Sequence, residues 1–223
     1  MSDTSSLTRE EAATPVELEP KFFNPNSTLP HGLEIEHVAE AMKDLNQFLG
    51  LINRALVDED MRRLEDIAMP ANFSSMVGEF MYSQIPEYCS NLVQNTYHNG
   101  FPDLIPAGEH EDNEVQYGES GIEVKASRYR SGWQGHNAED CWLMVIHYNS
   151  NSPNEPEPIR PFSIEGVFIA ELEEDDWSFS GRSEDSRRTI TASVLASGRD
   201  RMIENYVYDR EQSSHQGQLP FDV

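Results

Sequence analysis

The chain has 223 residues, of which 40 are acidic and 16 basic, and its formal net charge at pH 7 is −24. This length is enough for one domain with a sizeable core. Two cysteines are too few for a disulfide framework, and no apolar run approaches the roughly 18 residues that a membrane span needs. The acidic, polar N-terminus is not typical of a signal peptide, so we expect a soluble protein of the cytoplasm.

The excess of acid is spread along the whole chain rather than gathered in one block. Lysine is rare, because only Lys21, Lys43 and Lys125 occur among the 16 basic residues. Proteins of a salt-rich cytoplasm have this composition, since molar salt screens charges beyond about 3 Å and a dense carboxylate surface maintains solubility. We therefore predict a halophilic protein. An ordinary acidic protein or a mimic of nucleic acid is the alternative.

Composition divides the chain into three parts. Residues 1–30 are predicted to be a disordered acidic segment, 31–208 to be the folded domain and 209–223 to be a flexible tail.

The first predicted element is a helix over 34–57, whose apolar residues recur at spacings of three and four. They are Ile35, Val38, Met42, Leu45, Leu49, Ile52 and Leu56. This seam indicates either a helix face on the core or a contact between two copies of the chain.

Two further helices are predicted before the strands. One spans 72–84 with Asn72 as its N-cap, and the next begins at Pro86 and ends near residue 97. Extended segments are then predicted at 101–106, 114–117 and 121–128. The continuous apolar run over 141–148 is typical of a buried central strand.

Further strands and a last helix follow. A loop over 150–161 precedes a strand over 162–172, with which 177–180 is predicted to pair. A strand over 188–195 and a short helix over 199–207 complete the predicted elements. This order of elements predicts a single α/β domain with a mixed β-sheet flanked by helices.

The most informative motif is Pro102-Asp103, followed twenty residues later by Glu123-Val124-Lys125. Alternation along the predicted strand puts Glu123 and Lys125 on one face and Val124 on the other. Two carboxylates supply the hard oxygen ligands that Mg²⁺ prefers, and a metal-activated water can attack a phosphodiester. Lys125 beside that water would stabilise negative charge in the transition state. The alternative is an exposed pair of Glu123 and Lys125, with Asp103 in a turn.

This motif resembles that of the PD-(D/E)xK nuclease superfamily, which has the restriction-endonuclease-like fold. The matching residues are Pro102, Asp103, Glu123, Val124 and Lys125. The resemblance implies Mg²⁺-dependent cleavage of DNA, with the metal held by Asp103, Glu123 and the backbone carbonyl of Val124. That family often adds an acidic residue from the preceding helix, and Glu79 is placed to be this residue.

Residues predicted to contact DNA lie in two acid-free stretches, 124–138 and 186–199, and in a loop over 131–137. Arginine is the preferred side chain for phosphate and guanine contacts, and amides can recognise adenine edges. The candidates are Arg128, Arg130, Trp133, Gln134, His136, Asn137, Arg187, Arg188 and Arg199. The alternatives are arginines with a purely structural role and a tryptophan that anchors the loop to the core.

These features predict a Mg²⁺-dependent DNA endonuclease, in the first place a type II restriction enzyme that cuts double-stranded DNA as a homodimer. A structure-specific repair or recombination nuclease of the same fold is the first alternative. A non-catalytic acidic binding protein is the second, and it predicts no metal dependence and no effect of replacing Lys125. No P-loop motif occurs, so the chain has no ATP-driven motor of its own.

Overall fold

The computed structural model describes residues 7–135, 140–179 and 192–212 as one chain of mixed α/β structure. Its helices are α1 (Arg9–Ala12), α2 (Ile35–Asp58), α3 (Leu64–Ile67), α4 (Pro70–Tyr88) and α5 (Ala196–Glu204). Its strands are β1 (Leu92–Gln94), β2 (Leu104–Pro106), β3 (Ile122–Ser127), β4 (Gln134–Gly135), β5 (Cys141–Asn149), β6 (Ser163–Leu172), β7 (Trp177–Phe179), β8 (Ala192–Val194) and β9 (Tyr206–Asp209). Within these three ranges, no helix is long and apolar enough to cross a membrane.

The strands form a six-stranded sheet and a three-stranded sheet. The larger sheet has the order β1-β2-β3-β5-β6-β9, in which β3 and β5 are parallel and the other described neighbours are antiparallel. The smaller sheet has the order β4-β8-β7. β5 lies in the middle of the larger sheet, between β3 and β6. Its apolar run is therefore buried on both faces, as predicted. The mixed sheet with its helices confirms the predicted α/β class.

α2 confirms the first predicted helix and shows where its apolar seam points. Met42, Leu45 and Leu49 are fully buried within the chain. They belong to the main hydrophobic core, together with Val77 and Met81 of α4. The middle of the seam is therefore the inner face of a helix that packs on its own chain, whereas Ile35, Ile52 and Leu56 are only partly buried.

α4 corrects the prediction of two helices over 72–84 and 86–97. The helix begins at Pro70, so Asn72 lies inside it and is not the N-cap. Pro86 falls in the last turn, where it donates no hydrogen bond to the backbone carbonyl four residues earlier, and the helix ends two residues later. The chain that follows is extended rather than helical, because β1 pairs with β2 at the edge of the sheet.

The C-terminal elements differ from the predictions in their partners. β7 pairs with β8 in the smaller sheet, not with β6. α5 begins and ends three residues before the predicted helix over 199–207, and β9 then pairs with β6. β8 lies within the strand predicted over 188–195, of which 188–191 fall outside the described residues. These pairings join segments distant in sequence, and local patterns do not encode them.

The prediction of a disordered N-terminal segment over 1–30 is wrong for residues 7–30, which pack on the rest of the chain. Phe23 is 2% exposed and contacts Tyr208 of β9 with 4.8 Å between ring centroids. A few apolar residues of this mostly polar segment therefore belong to the core. Most of the predicted tail, 213–223, lies outside the described residues.

Candidate active site

Asp103 is held between two strands of the larger sheet. It directly precedes β2, and its backbone carbonyl accepts a hydrogen bond of 2.9 Å from the N–H of Asn95, which follows β1. Its carboxylate oxygen Oδ2 accepts a hydrogen bond of 2.8 Å from the backbone N–H of Val124 in β3. The carboxylate of Asp103 therefore lies against the central part of β3.

β3 carries a charged pair on one face and an apolar residue on the other. The ammonium of Lys125 donates a hydrogen bond to the carboxylate of Glu123. The side chain of Val124 is 3% exposed and packs in the main core. Strand alternation thus has the predicted result, since residues two apart share a face.

The carboxylates of this group repel each other. Burial and the neighbouring carboxylate of Glu123 raise the pKa of Asp103 to about 7. Burial acts against the charge of Lys125, but the carboxylates of Glu123 and Asp103 outweigh burial and raise the pKa of its ammonium. Lys125 is therefore positively charged at neutral pH, while the two carboxylates beside it exceed the charge that it can balance.

Glu79 and Tyr82 lie one turn apart on α4, beside the group formed by Asp103, Glu123 and Lys125. Burial, followed by the charges of Asp103, Glu79 and Glu123, raises the pKa of Tyr82 to about 12, so its hydroxyl stays protonated. Glu79 itself is exposed. In the described parts of the chain, no three His, Cys, Asp or Glu side chains are grouped to hold a metal ion. Glu79 therefore does not complete a three-carboxylate cluster with Asp103 and Glu123.

These side chains line a cavity of about 760 Å³. The charged residues among those that line it are Glu79, Asp103, Glu123 and Lys125. With three carboxylates and one ammonium, the cavity repels a phosphate unless a cation enters with it. The aromatic residues that line it are Tyr82, Phe101, Tyr117 and Trp177. The cavity thus combines a cation-attracting region with aromatic surface.

The available donors suit a hard divalent cation. Asp103 and Glu123 offer carboxylate oxygens, and Val124 also lines the cavity. The carbonyl oxygen of Val124 faces α4, 3.8 Å from the position that a Cβ on Gly78 would take. A cation between the carboxylates would remove the repulsion that raises the pKa of Asp103. Magnesium keeps several water ligands, so this small set of protein oxygens fits it.

Arg128 and Arg130, which were predicted to contact DNA, form ion pairs within the chain. Arg128 lies 2.5 Å from a carboxylate oxygen of Glu155. Arg130 donates hydrogen bonds of 2.8 and 2.6 Å to the two carboxylate oxygens of Asp209, which is fully buried. The Arg130 guanidinium also lies over the ring of Phe168, 4.8 Å from its centroid. These contacts match the structural alternative for both arginines.

The other predicted DNA contacts divide between surface, core and undescribed residues. Arg199 pairs with Asp200 at 2.7 Å on the surface of α5. Trp133 is 3% exposed and its indole N–H donates to the carbonyl of Tyr129 at 2.9 Å, so it anchors its loop to the core. Gln134 is exposed in β4. The remaining candidates lie outside the described residues: His136, Asn137, Arg187 and Arg188.

Sequence reasoning missed several residues of the cavity. Tyr82 could have been found, because it lies three positions after Glu79 on the same helix and thus on the same face. Phe101 could have been found from its place beside the Pro102-Asp103 motif. Tyr117 has no such local signal, since its position depends on a parallel bridge to Phe101.

A scan against models of protein families and searches of curated proteins and of solved structures returned no match to this chain. The class of protein is therefore described by its fold and by the geometry of its site. It is a mixed α/β protein in which two carboxylates and a lysine meet in a cavity beside a parallel strand pair.

Proposed function

We propose that the protein is a Mg²⁺-dependent DNA endonuclease of the PD-(D/E)xK superfamily, with the restriction-endonuclease-like fold. The observation that carries the proposal is the meeting of Asp103, Glu123 and Lys125 in one cavity. Asp103 reaches the backbone of β3 at 2.8 Å, although twenty residues separate it from Glu123. Residues that matched the motif only by chance would have no reason to lie together in the folded chain.

In this proposal Asp103, Glu123 and the carbonyl of Val124 would hold a magnesium ion, which would neutralise phosphate charge and lower the pKa of a bound water. Lys125 stabilises the negative charge that develops as water attacks phosphorus. One new bond joins the water oxygen to phosphorus, and the bond from phosphorus to the leaving sugar oxygen breaks. The leaving oxygen takes up a proton, so that water is added across the phosphodiester.

Two modes of DNA recognition fit this chemistry. A restriction enzyme that cuts specific sites in double-stranded DNA as a homodimer is the candidate predicted from the sequence. The second candidate is a nuclease that recognises the structure of DNA. Arg128, Arg130 and Arg199 already have carboxylate partners in the chain, and since either candidate would use such guanidinium groups on DNA, these ion pairs do not distinguish the two.

The test is to incubate the purified full chain with supercoiled plasmid and unmethylated phage DNA in molar salt, with magnesium or with a chelator. We expect cleavage that depends on magnesium. Discrete bands indicate a sequence-specific enzyme, whereas nicking or selective cutting of flapped substrates indicates recognition of structure. Size-exclusion chromatography of the same sample measures whether it is a homodimer.

The outcome that contradicts the proposal is equally clear. An absence of cleavage over a range of salt and metal concentrations overturns the assignment as a nuclease. The non-catalytic acidic binding protein then becomes the leading hypothesis. Cleavage that persists in the chelator would instead overturn the dependence on a metal.

A further inference from the structure

The cavity has an aromatic wall that the proposed hydrolysis does not use. The rings of Phe101 and Tyr117 lie 5.5 Å apart, measured between centroids, with an interplanar angle of 36°. Both residues line the cavity, and Tyr117 is 60% exposed. An exposed ring supported by a second ring is a surface on which a planar ligand can stack.

The two segments that carry these rings are joined through the buried side chain of Asn95. Its amide nitrogen donates to the carbonyl oxygens of Pro102 at 3.0 Å and Val115 at 2.8 Å. Its carbonyl oxygen accepts from the N–H groups of Val115 and Tyr97, both at 3.1 Å. Gly100 permits this approach, because a Cβ there would lie 2.5 Å from the Asn95 nitrogen. The ring pair is thus positioned before any ligand arrives.

The ring pair also lies close to the carboxylate of Asp103. Only Pro102 separates Phe101 from Asp103 in the chain, and the Phe101–Pro102 peptide bond is cis, so the Cα atoms of Phe101 and Asp103 are at most about 6.7 Å apart. The backbone N–H of Asn95 fixes the carbonyl of Asp103 as well, at 2.9 Å. A single sugar joins base and phosphate in a nucleotide. A base stacked on the rings therefore brings its own phosphate near Asp103.

The charge of the cavity favours stacking as the source of affinity. Among the described residues that line the cavity, Lys125 is the one positively charged side chain, and it faces three carboxylates. Double-stranded DNA is held chiefly through contacts to its phosphates, and these contacts weaken steeply as salt rises. Aromatic surface accepts any nucleobase without such contacts, because every base has a π-face.

We propose that Phe101 and Tyr117 form a stacking platform for an unpaired nucleobase of the DNA strand that is cut. This inference rests on the proposed endonuclease function and names its substrate class, which is DNA with a single-stranded segment at the cleaved phosphate. A base inside an intact duplex is stacked on its neighbours and reaches the platform only by leaving the helix.

The test is binding of a labelled single-stranded DNA oligonucleotide and of its duplex to the full chain, measured by fluorescence anisotropy in molar salt. Calcium replaces magnesium to suppress cleavage. We expect Tyr117→Ala to weaken single-strand binding about 5- to 150-fold, the value of one base–aromatic contact. Tyr117→Phe keeps the ring and should bind like the wild type. The matched control is Tyr129→Ala, which removes a tyrosine that is 71% exposed and outside the cavity.

Three outcomes overturn the platform. The first is single-strand binding by Tyr117→Ala that equals that of the wild type. The second is an equal loss of single-strand and duplex binding, and the third is a loss in Tyr117→Phe as large as that in Tyr117→Ala. Thermal melting by circular dichroism establishes that each variant folds, and Tyr117→Leu replaces the alanine variant if that one does not.

Failure of the platform and failure of the nuclease proposal give different results. If the wild type cuts DNA but Tyr117→Ala binds and cuts single-stranded substrates normally, the platform is wrong and the nuclease assignment stands. If the wild type cuts nothing but single-strand binding depends on the Tyr117 ring, the binding site is supported and the nuclease assignment is wrong.

Discussion

Two buried clusters in this molecule contain the same charges but differ in enclosure. The closed cluster consists of Arg63, Glu65 and Asp66. The open cluster consists of Lys125, Asp103 and Glu123. Each has two carboxylates and one cation, so charge alone does not distinguish them. What differs is whether the chain encloses the cluster or leaves it facing a cavity.

In the closed cluster the protein supplies every partner of the cation. Arg63 is 1% exposed, and its guanidinium makes two hydrogen bonds to Asp66. Its other N–H groups bind the carbonyls of Ala12 and Arg160 and the side chain of Asn151. A planar guanidinium with five donors can join several segments in this way. The closed cluster therefore has a structural role.

In the open cluster the charges face a cavity. Lys125 contacts Glu123, but the pKa of Asp103 is still raised to about 7 by burial and by Glu123. This repulsion persists in the folded chain and can be relieved by a cation from solution. Burial raises the pKa of Glu65 in the closed cluster as well. The open space beside Asp103, and not the shifted pKa alone, therefore marks the open cluster as the candidate functional site.

The largest expected effect is on the closed cluster. Arg63→Ala leaves Glu65 and Asp66 buried without their cation, and we expect a loss of about 3–5 kcal/mol in the free energy of unfolding. Denaturant unfolding in molar salt measures it. The control Arg62→Ala removes the exposed neighbouring arginine and should change stability by about 0.5 kcal/mol or less. A loss equal to that of the control would mean that the closed cluster does not stabilise the fold.

The next effect concerns cleavage by the open cluster. Lys125→Ala should lower the rate about 100- to 1000-fold, because the developing charge on the phosphate loses its ammonium. The folded state should persist, since removing the lysine opens the cavity rather than the core. Lys43→Ala is the control, as it removes a lysine that pairs with Glu40 on α2. Single-turnover cleavage rates of the two variants decide the matter, and equal rates would exclude the assigned role of Lys125.

Magnesium should stabilise the wild type more than a variant without Asp103. A ligand that binds only the folded state adds about 2.7 kcal/mol at a concentration of about 100 times its Kd. Asp103→Asn removes one carboxylate ligand and should lose most of this gain. Thermal unfolding with and without magnesium measures it, with Asp58→Asn at the exposed end of α2 as control. The same gain in Asp103→Asn as in the wild type would show that Asp103 is not a ligand.

In the presence of a chelator, the stability of the wild type and that of Asp103→Asn should depend differently on pH. The pKa of Asp103 is raised from 3.8 to about 7. Between these values the folded wild type binds more protons than the unfolded chain, so its stability falls as pH rises. Asp103→Asn should lack this part of the fall. Melting temperatures of both proteins between about pH 4 and pH 7 test this, and parallel curves would show that the pKa of Asp103 is not raised in the folded chain.

The smallest expected effect is on the surface. Arg128→Ala should change duplex DNA binding by about twofold or less, because this guanidinium is paired with Glu155 and with the carbonyl of Ser150. Fluorescence anisotropy in molar salt measures it. A strong loss of duplex affinity would instead support the predicted contact between Arg128 and DNA.

The candidate site was predictable in part. Glu123 and Lys125 are two residues apart on a strand, so alternation alone predicts that they share a face. The place of Asp103 beside Val124 was expected from a family resemblance, not from local chemistry. The pairing of Arg130 with Asp209 was not predictable, since these residues are 79 positions apart and meet only when β9 joins the sheet.

The sequence by itself determined the elements with strong periodicity, namely the amphipathic α2, the apolar β5 and the alternating β3. These elements depend on neighbours within a few residues, which the chain specifies directly. The tertiary structure alone decided which faces met: the burial of the α2 seam, the pairing of β7 with β8, and the placing of Tyr117 beside Phe101. Short strands and surface rings acquire their environment from distant segments, and that environment forms only when the whole sheet assembles.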